Sequence, residues 1–80
     1  MSNMKIIGYN SNKTEKIGEV KFSSNSEVFD YLNYILGENP RFRMSIKKAV
    51  SNEQFPIEFR VSNTEYGMKH EFVYIIDRDE

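Results

Sequence analysis

The chain has 80 residues, 39% of them hydrophobic and 29% charged. That is enough for one domain and too apolar for a disordered segment. Eleven Lys and Arg oppose twelve Asp and Glu, a net charge of -1, and the lack of cysteine excludes disulfides, thiolate metal sites and thiol nucleophiles.

The first strand is expected over Lys5 to Tyr9, followed by a polar turn, Asn10-Ser11-Asn12-Lys13-Thr14. Ile17 to Phe22 reads as the second strand. Pairing Ile7 with Val20 puts Ile7, Tyr9, Val20 and Phe22 on one face, because strand side chains alternate with period two. Ser24-Asn25-Ser26-Glu27 matches a capping box, in which Ser24 accepts from the Glu27 amide and Glu27 reaches back to the Ser24 amide. Val28, Tyr31, Leu32, Ile35 and Leu36 follow at helical spacing, so a helix is expected from Asn25 to Leu36, with Gly37 as a left-handed stop.

Asn39-Pro40 is a second helix start, since Asn caps and Pro at the first helical position lacks only an amide hydrogen that has no partner there. Phe42, Ile46, Ala49 and Val50 form its buried stripe, and its end is expected near Ser51 or Asn52. Phe55, Ile57, Phe59 and Val61 alternate with Pro56, Glu58, Arg60 and Ser62, the pattern of a half-buried strand. A turn at Tyr66-Gly67 leads to the last strand, Glu71 to Ile76, and pairs Val61 with Phe72, Phe59 with Tyr74 and Ile57 with Ile76. Asp77-Arg78-Asp79-Glu80 reads as a charged tail.

The order ββααββ specifies an α+β fold in one small domain, residues 1–80. The first and last strands are apolar on both faces and belong in the sheet centre. The expected architecture is a four-stranded, mostly antiparallel sheet of order 2-1-4-3 with both helices on one face. A domain of this size buries only about 60% to 65% of its unfolded surface, so self-association would add to its stability.

In these registers Ile6, Ile17, Val73 and Ile75 point away from the helices. Four β-branched residues on a bare face form an apolar patch, the signature of a protein interface or a homodimer, although scattered surface aliphatics are common. Tyr34, on the polar side of the first helix, is a candidate anchor for the same interface, or it lies across its neighbours. The second helix carries Arg41, Arg43, Lys47 and Lys48 and no acid, whereas residues 51–80 carry three cations and seven acids. Such a helix suits a phosphate backbone or an acidic protein surface. It also suits the negative end of its own dipole, which makes a solvated face the simpler account.

Catalytic chemistry finds little footing. His70 is the only histidine, and adjacent Glu71 points to the opposite strand face. The four glycines are scattered and form no phosphate loop, and Asp77, Asp79 and Glu80 lack the ligand count of a calcium loop. Neither a catalytic residue, a metal site, a cofactor nor a small-molecule substrate is expected.

The function expected is that of a non-catalytic protein-binding module that occludes or recruits a macromolecular partner. A small phage or mobile-element inhibitor of a host system is one such form, in keeping with the size and the bias toward Asn, Ile and Lys. The alternatives are an RNA or single-stranded nucleic-acid-binding protein using Arg41, Arg43, Lys47 and Lys48, and a homodimeric structural subunit. No apolar run approaches the roughly 18 residues of a membrane span, and Met1-Ser2-Asn3-Met4-Lys5 has no apolar signal core. A soluble, cytoplasmic protein with no membrane partner is therefore expected.

Overall fold

The computed structural model describes residues 3–36 and 39–79; Met1, Ser2, Glu80 and Gly37, the expected helix stop, lie outside them. The elements are β1 (Met4–Asn10), β2 (Lys16–Phe22), α1 (Asn25–Ile35), α2 (Pro40–Ser51), β3 (Ile57–Glu65) and β4 (Met68–Arg78). All three strand pairings are antiparallel, and the sheet order is β2-β1-β4-β3. Order and class agree with the two-sidedness of the central strands.

Both helices begin where side chains can satisfy free amides. Ser24 Oγ accepts from the Glu27 amide at 3.3 Å, and Asn39 Oδ1 accepts from the Phe42 amide at 3.2 Å, with Pro40 at the first helical position. Glu27 reaches back one residue further than the capping box implies: its carboxylate accepts from the Ser23 amide at 3.0 Å and the Ser23 hydroxyl at 3.1 Å. α2 closes with a Schellman arrangement, Gln54 N–H donating to Ala49 O and Glu53 N–H to Val50 O, which places Glu53 at φ 54°. A cis Phe55–Pro56 bond leads into β3.

The helices cover one face of the sheet. Val28, Leu32 and Leu36 from α1 and Ile46 and Val50 from α2 pack on Met4, Ile6, Ile57, Phe59, Val61 and Ile76. Phe59 links the layers, with its ring 5.9 Å from Phe42 and 5.6 Å from Tyr74. The β3–β4 register pairs Ile57 with Ile76, Phe59 with Tyr74 and Val61 with Phe72, as the alternation predicts.

The register of β1 corrects the sequence reading by one residue. Ile6, not Ile7, lies opposite Val20, and Gly8 lies opposite Gly18. A one-residue slip turns every side chain of a strand over, so Met4, Ile6 and Gly8 face the helices while Ile7 and Tyr9 face away. Adjacent Ile6 and Ile7 made the two choices equal on hydrophobicity. In the observed register Gly8 faces Tyr74, where a Cβ would already be in van der Waals contact with the ring at 3.4 Å, so the position suits a small residue. The pairing then skips, Gly8 to Gly18 but Tyr9 to Lys16, which leaves Ile17 as the extra residue of a β-bulge.

Candidate interaction surfaces

The face away from the helices carries its own cover. Asn10 shapes the β1–β2 loop: its Oδ1 accepts from the Thr14 amide at 2.8 Å and the Glu15 amide at 3.1 Å, and its Nδ2 donates to Thr14 Oγ1 at 2.8 Å. From β3, on the far side of β4, two long side chains reach this loop. Arg60 Nη1 donates to the Ser11 carbonyl at 2.7 Å, and Glu58 Oε1 accepts from Lys13 Nζ at 2.8 Å. Arg60 and Tyr9 both lie directly opposite Val73, one on each side of β4. Directly opposed residues share a face, so the Arg60 side chain spans β4 there, and Val73 is 0% exposed. The Lys13 contact also holds the Glu58 carboxyl below its ordinary value: the Lys13 hydrogen bond outweighs the opposing desolvation, and Coulomb attraction from Lys13 and then Arg60 adds to it.

The four-residue apolar patch is therefore not assembled. Ile6, 2% exposed, is in the core on the helix side. Val73 is beneath Arg60, and Ile75 is half-buried opposite Ile7 and Glu58. Ile17 stays exposed, but the bulge brings it beside a groove on the helix side of the β1–β2 hairpin. Gly8, Gly18, Ile17, Val20, Tyr31 and Tyr74 are among the residues that line that groove. Its volume, about 120 Å³, is below the roughly 300 Å³ at which drug-sized ligand sites begin. Burial pushes the Tyr74 phenol above its ordinary value, and the neighbouring Tyr31 and Tyr34 phenols add to the shift.

Tyr34 is exposed, its ring 6.3 Å from Tyr31, which in turn lies 5.4 Å from Phe22. On α2 the four cations divide. Lys47 Nζ sits 5.5 Å over the Phe29 ring, a cation–π contact with α1. Arg43 is half-buried and engaged. Arg41 and Lys48 are exposed, on the same solvent-facing side as exposed Met44. His70 is exposed and pairs across the sheet with Asn63. Among the described residues, no group of three or more His, Cys, Asp or Glu could hold a metal ion, and no helix is long and apolar enough to cross a membrane.

A further surface was not singled out from the sequence. Beyond Val61, the last core residue of β3, which pairs with half-buried Phe72, the β3–β4 hairpin continues for four more pairs, Ser62–Glu71 to Glu65–Met68. At the strand rise of 3.4 Å this projects it about 14 Å past the core. Its turn residues, Tyr66 at φ 52° and Gly67 at φ 76°, both have positive φ, the requirement of a type I′ turn. Asn, Asp or Gly normally fills the first of these positions. A tyrosine there costs about 1 kcal/mol or more in backbone strain. Tyr66 is 95% exposed and Met68 65% exposed, so neither gains compensating burial within the chain. The signal was present in the sequence as a bulky aromatic immediately before a turn glycine.

Comparison with known families, curated proteins and solved structures returns no family model, no curated protein and no solved structure that matches this chain.

Proposed function

We propose that this domain is a non-catalytic protein-binding module that occludes or recruits a protein partner, and that the β3–β4 hairpin tip is its contact. The observation that carries the reading is Tyr66: a large, almost fully exposed aromatic held in a left-handed conformation that an asparagine would adopt at lower cost. Strain without internal compensation is characteristic of functional positions. Tyrosine is enriched among the few residues that dominate binding energies, and methionine adapts to irregular apolar pockets. The expected partner is a protein with an apolar cleft wide enough to admit a two-stranded ribbon.

The test begins with capture of partners from a lysate of the source cells, each candidate then purified and titrated against the wild-type chain and the Tyr66→Asn/Met68→Ser variant. Loss of affinity of about thirtyfold is expected, the scale of one interface hot spot. A purified partner that binds both chains equally well removes the tip from the argument.

A second reading has one observation in its favour. Arg41 and Lys48 flank exposed Met44 on a helix with no acid, so α2 could lie along a single-stranded RNA. Magnitudes rank it lower: two phosphate contacts give a log–log salt slope of only about -1.4, which is weak binding at physiological salt. Anisotropy of a labelled RNA oligonucleotide across a salt series, with Arg41→Ala/Lys48→Ala as the comparison, tests it. A slope near zero would reject this reading.

A further inference from the structure

We infer that β2 is a self-recognition edge, on which a second copy of this chain pairs antiparallel about a two-fold axis through Val20. β2 is an outer strand of the sheet, exposed along its length apart from half-buried Phe22. Its outward backbone groups are a template for another strand. The bulge at Ile17 and the charge of Lys16 blunt one end of this edge, while Gly18 to Phe22 stays in regular register with β1.

For an antiparallel pair of identical strands in one continuous sheet, the two-fold axis is perpendicular to the sheet, so each face meets its own kind. Centred on Val20, this symmetry has three consequences. On the face away from the helices, Glu19 meets the partner's Lys21 and Lys21 meets the partner's Glu19, giving two opposite-charge cross-strand pairs. On the helix face, exposed Val20 meets its own copy. Beside it, Phe22 stands opposite the partner's Gly18, where a Cβ would touch no atom within 4 Å. An aromatic placed across from an edge glycine fills the gap that the glycine leaves. Shifting the axis to Glu19 sets like charges face to face, and shifting it to Gly18 pairs Ile17 with Glu19.

The present contacts of the two charged residues are long: Lys16 Nζ donates to Glu19 Oε1 at 3.3 Å, and Lys21 Nζ lies 3.6 Å from Asp79 Oδ2. The other outer strand, β3, has the same alternation in Glu58 and Arg60. Those two are committed to the β1–β2 loop at 2.8 and 2.7 Å, and Pro56 withdraws an amide just before that strand. Charge complementarity, together with the longer contacts of Glu19 and Lys21, therefore selects β2.

Sedimentation equilibrium of the full chain up to about 1 mM tests the proposal, because pairing along one edge belongs to the small, weak class of interfaces. The wild-type chain is expected to form a dimer. Glu19→Lys sets two like-charge pairs across the axis, as does Lys21→Glu, and each variant alone should dimerise at least about tenfold more weakly. An equimolar mixture of the two variants restores both opposite-charge pairs and should form a heterodimer. Circular dichroism checks that both variants keep the fold, as exposed positions 19 and 21 should allow. A wild-type chain that remains monomeric, a dimer indifferent to both substitutions, or a mixture that stays dissociated overturns the assignment. None of these outcomes depends on the hairpin tip.

Discussion

The two hairpins of this domain use their turns in opposite ways. The β1–β2 loop bends back over the sheet, where Asn10 satisfies its amides and Arg60 and Glu58 hold it from the far strand. The β3–β4 turn is a tight pair of residues that carries Tyr66 and Met68 away from the domain. The first spends polar side chains to cover an apolar strand. The second leaves apolar side chains uncovered, with a strained residue at the tip. A loop held by side chains of its own chain is accounted for by the fold, whereas a strained, exposed aromatic tip is not.

The comparison breaks most directly at Val73. If the β1–β2 loop and Arg60 were not a cover, Val73→Asp would put a carboxylate on an exposed face at little cost. With the cover in place, that carboxylate is buried beneath an Arg60 already bonded to the Ser11 carbonyl, and since satisfying it would mean breaking that bond, destabilisation of about 3 kcal/mol or more is expected. In a domain this small, urea denaturation should then find little or no folded baseline. A smaller loss is expected of Arg60→Ala. It removes one charge-assisted bond to Ser11 and the alkyl stem lying across β4, together about 1 to 2 kcal/mol. Faster amide hydrogen exchange over residues 11–15 should accompany it.

What the sequence made legible follows from where its patterns were one-sided. Phe55 to Ser62 alternates cleanly, so the β3–β4 register was readable, and the strand order followed from the two-sidedness of β1 and β4. Ile6 and Ile7 are equivalent by hydrophobicity, and the packing of Gly8 against Tyr74 that accompanies the observed register is a tertiary contact with no local signature. That single ambiguity carried Ile6 into the expected patch. Val73 does face away from the helices, but a cover made of Arg60 and a loop some fifty residues from it in sequence cannot be seen in the local pattern. The charges of α2 are plain in the sequence, but the pairing of Lys47 with Phe29 depends on how the two helices pack.

The tip supplies a change of the opposite sign. Tyr66→Asn keeps the turn and relieves the left-handed tyrosine, so the midpoint of urea unfolding should rise by the equivalent of about 1 kcal/mol. A gain in stability together with a loss of partner affinity would be the expected exchange at a functional position. A variant that loses stability would mean that Tyr66 packs on its own hairpin.

Proton linkage gives the smallest effects, one on each side of neutrality. The raised Tyr74 phenol keeps its proton in the folded state after the unfolded chain begins to lose it. Stability should therefore decline as pH rises past about 10, and Tyr74→Phe should reduce that decline. Glu58 has the reverse sign. Its folded value is lowered, so its contribution is complete above the ordinary value of 4.5 and is lost as pH falls through the folded value. Lys13 and Glu58 are both well exposed, so this effect should be small and should shrink further in salt. Glu58→Gln should remove that pH dependence while leaving the Arg60 bond to Ser11 in place. If acid unfolding is unchanged in this variant, Arg60 alone holds the β1–β2 loop over Val73 and the Lys13 contact is incidental to the cover.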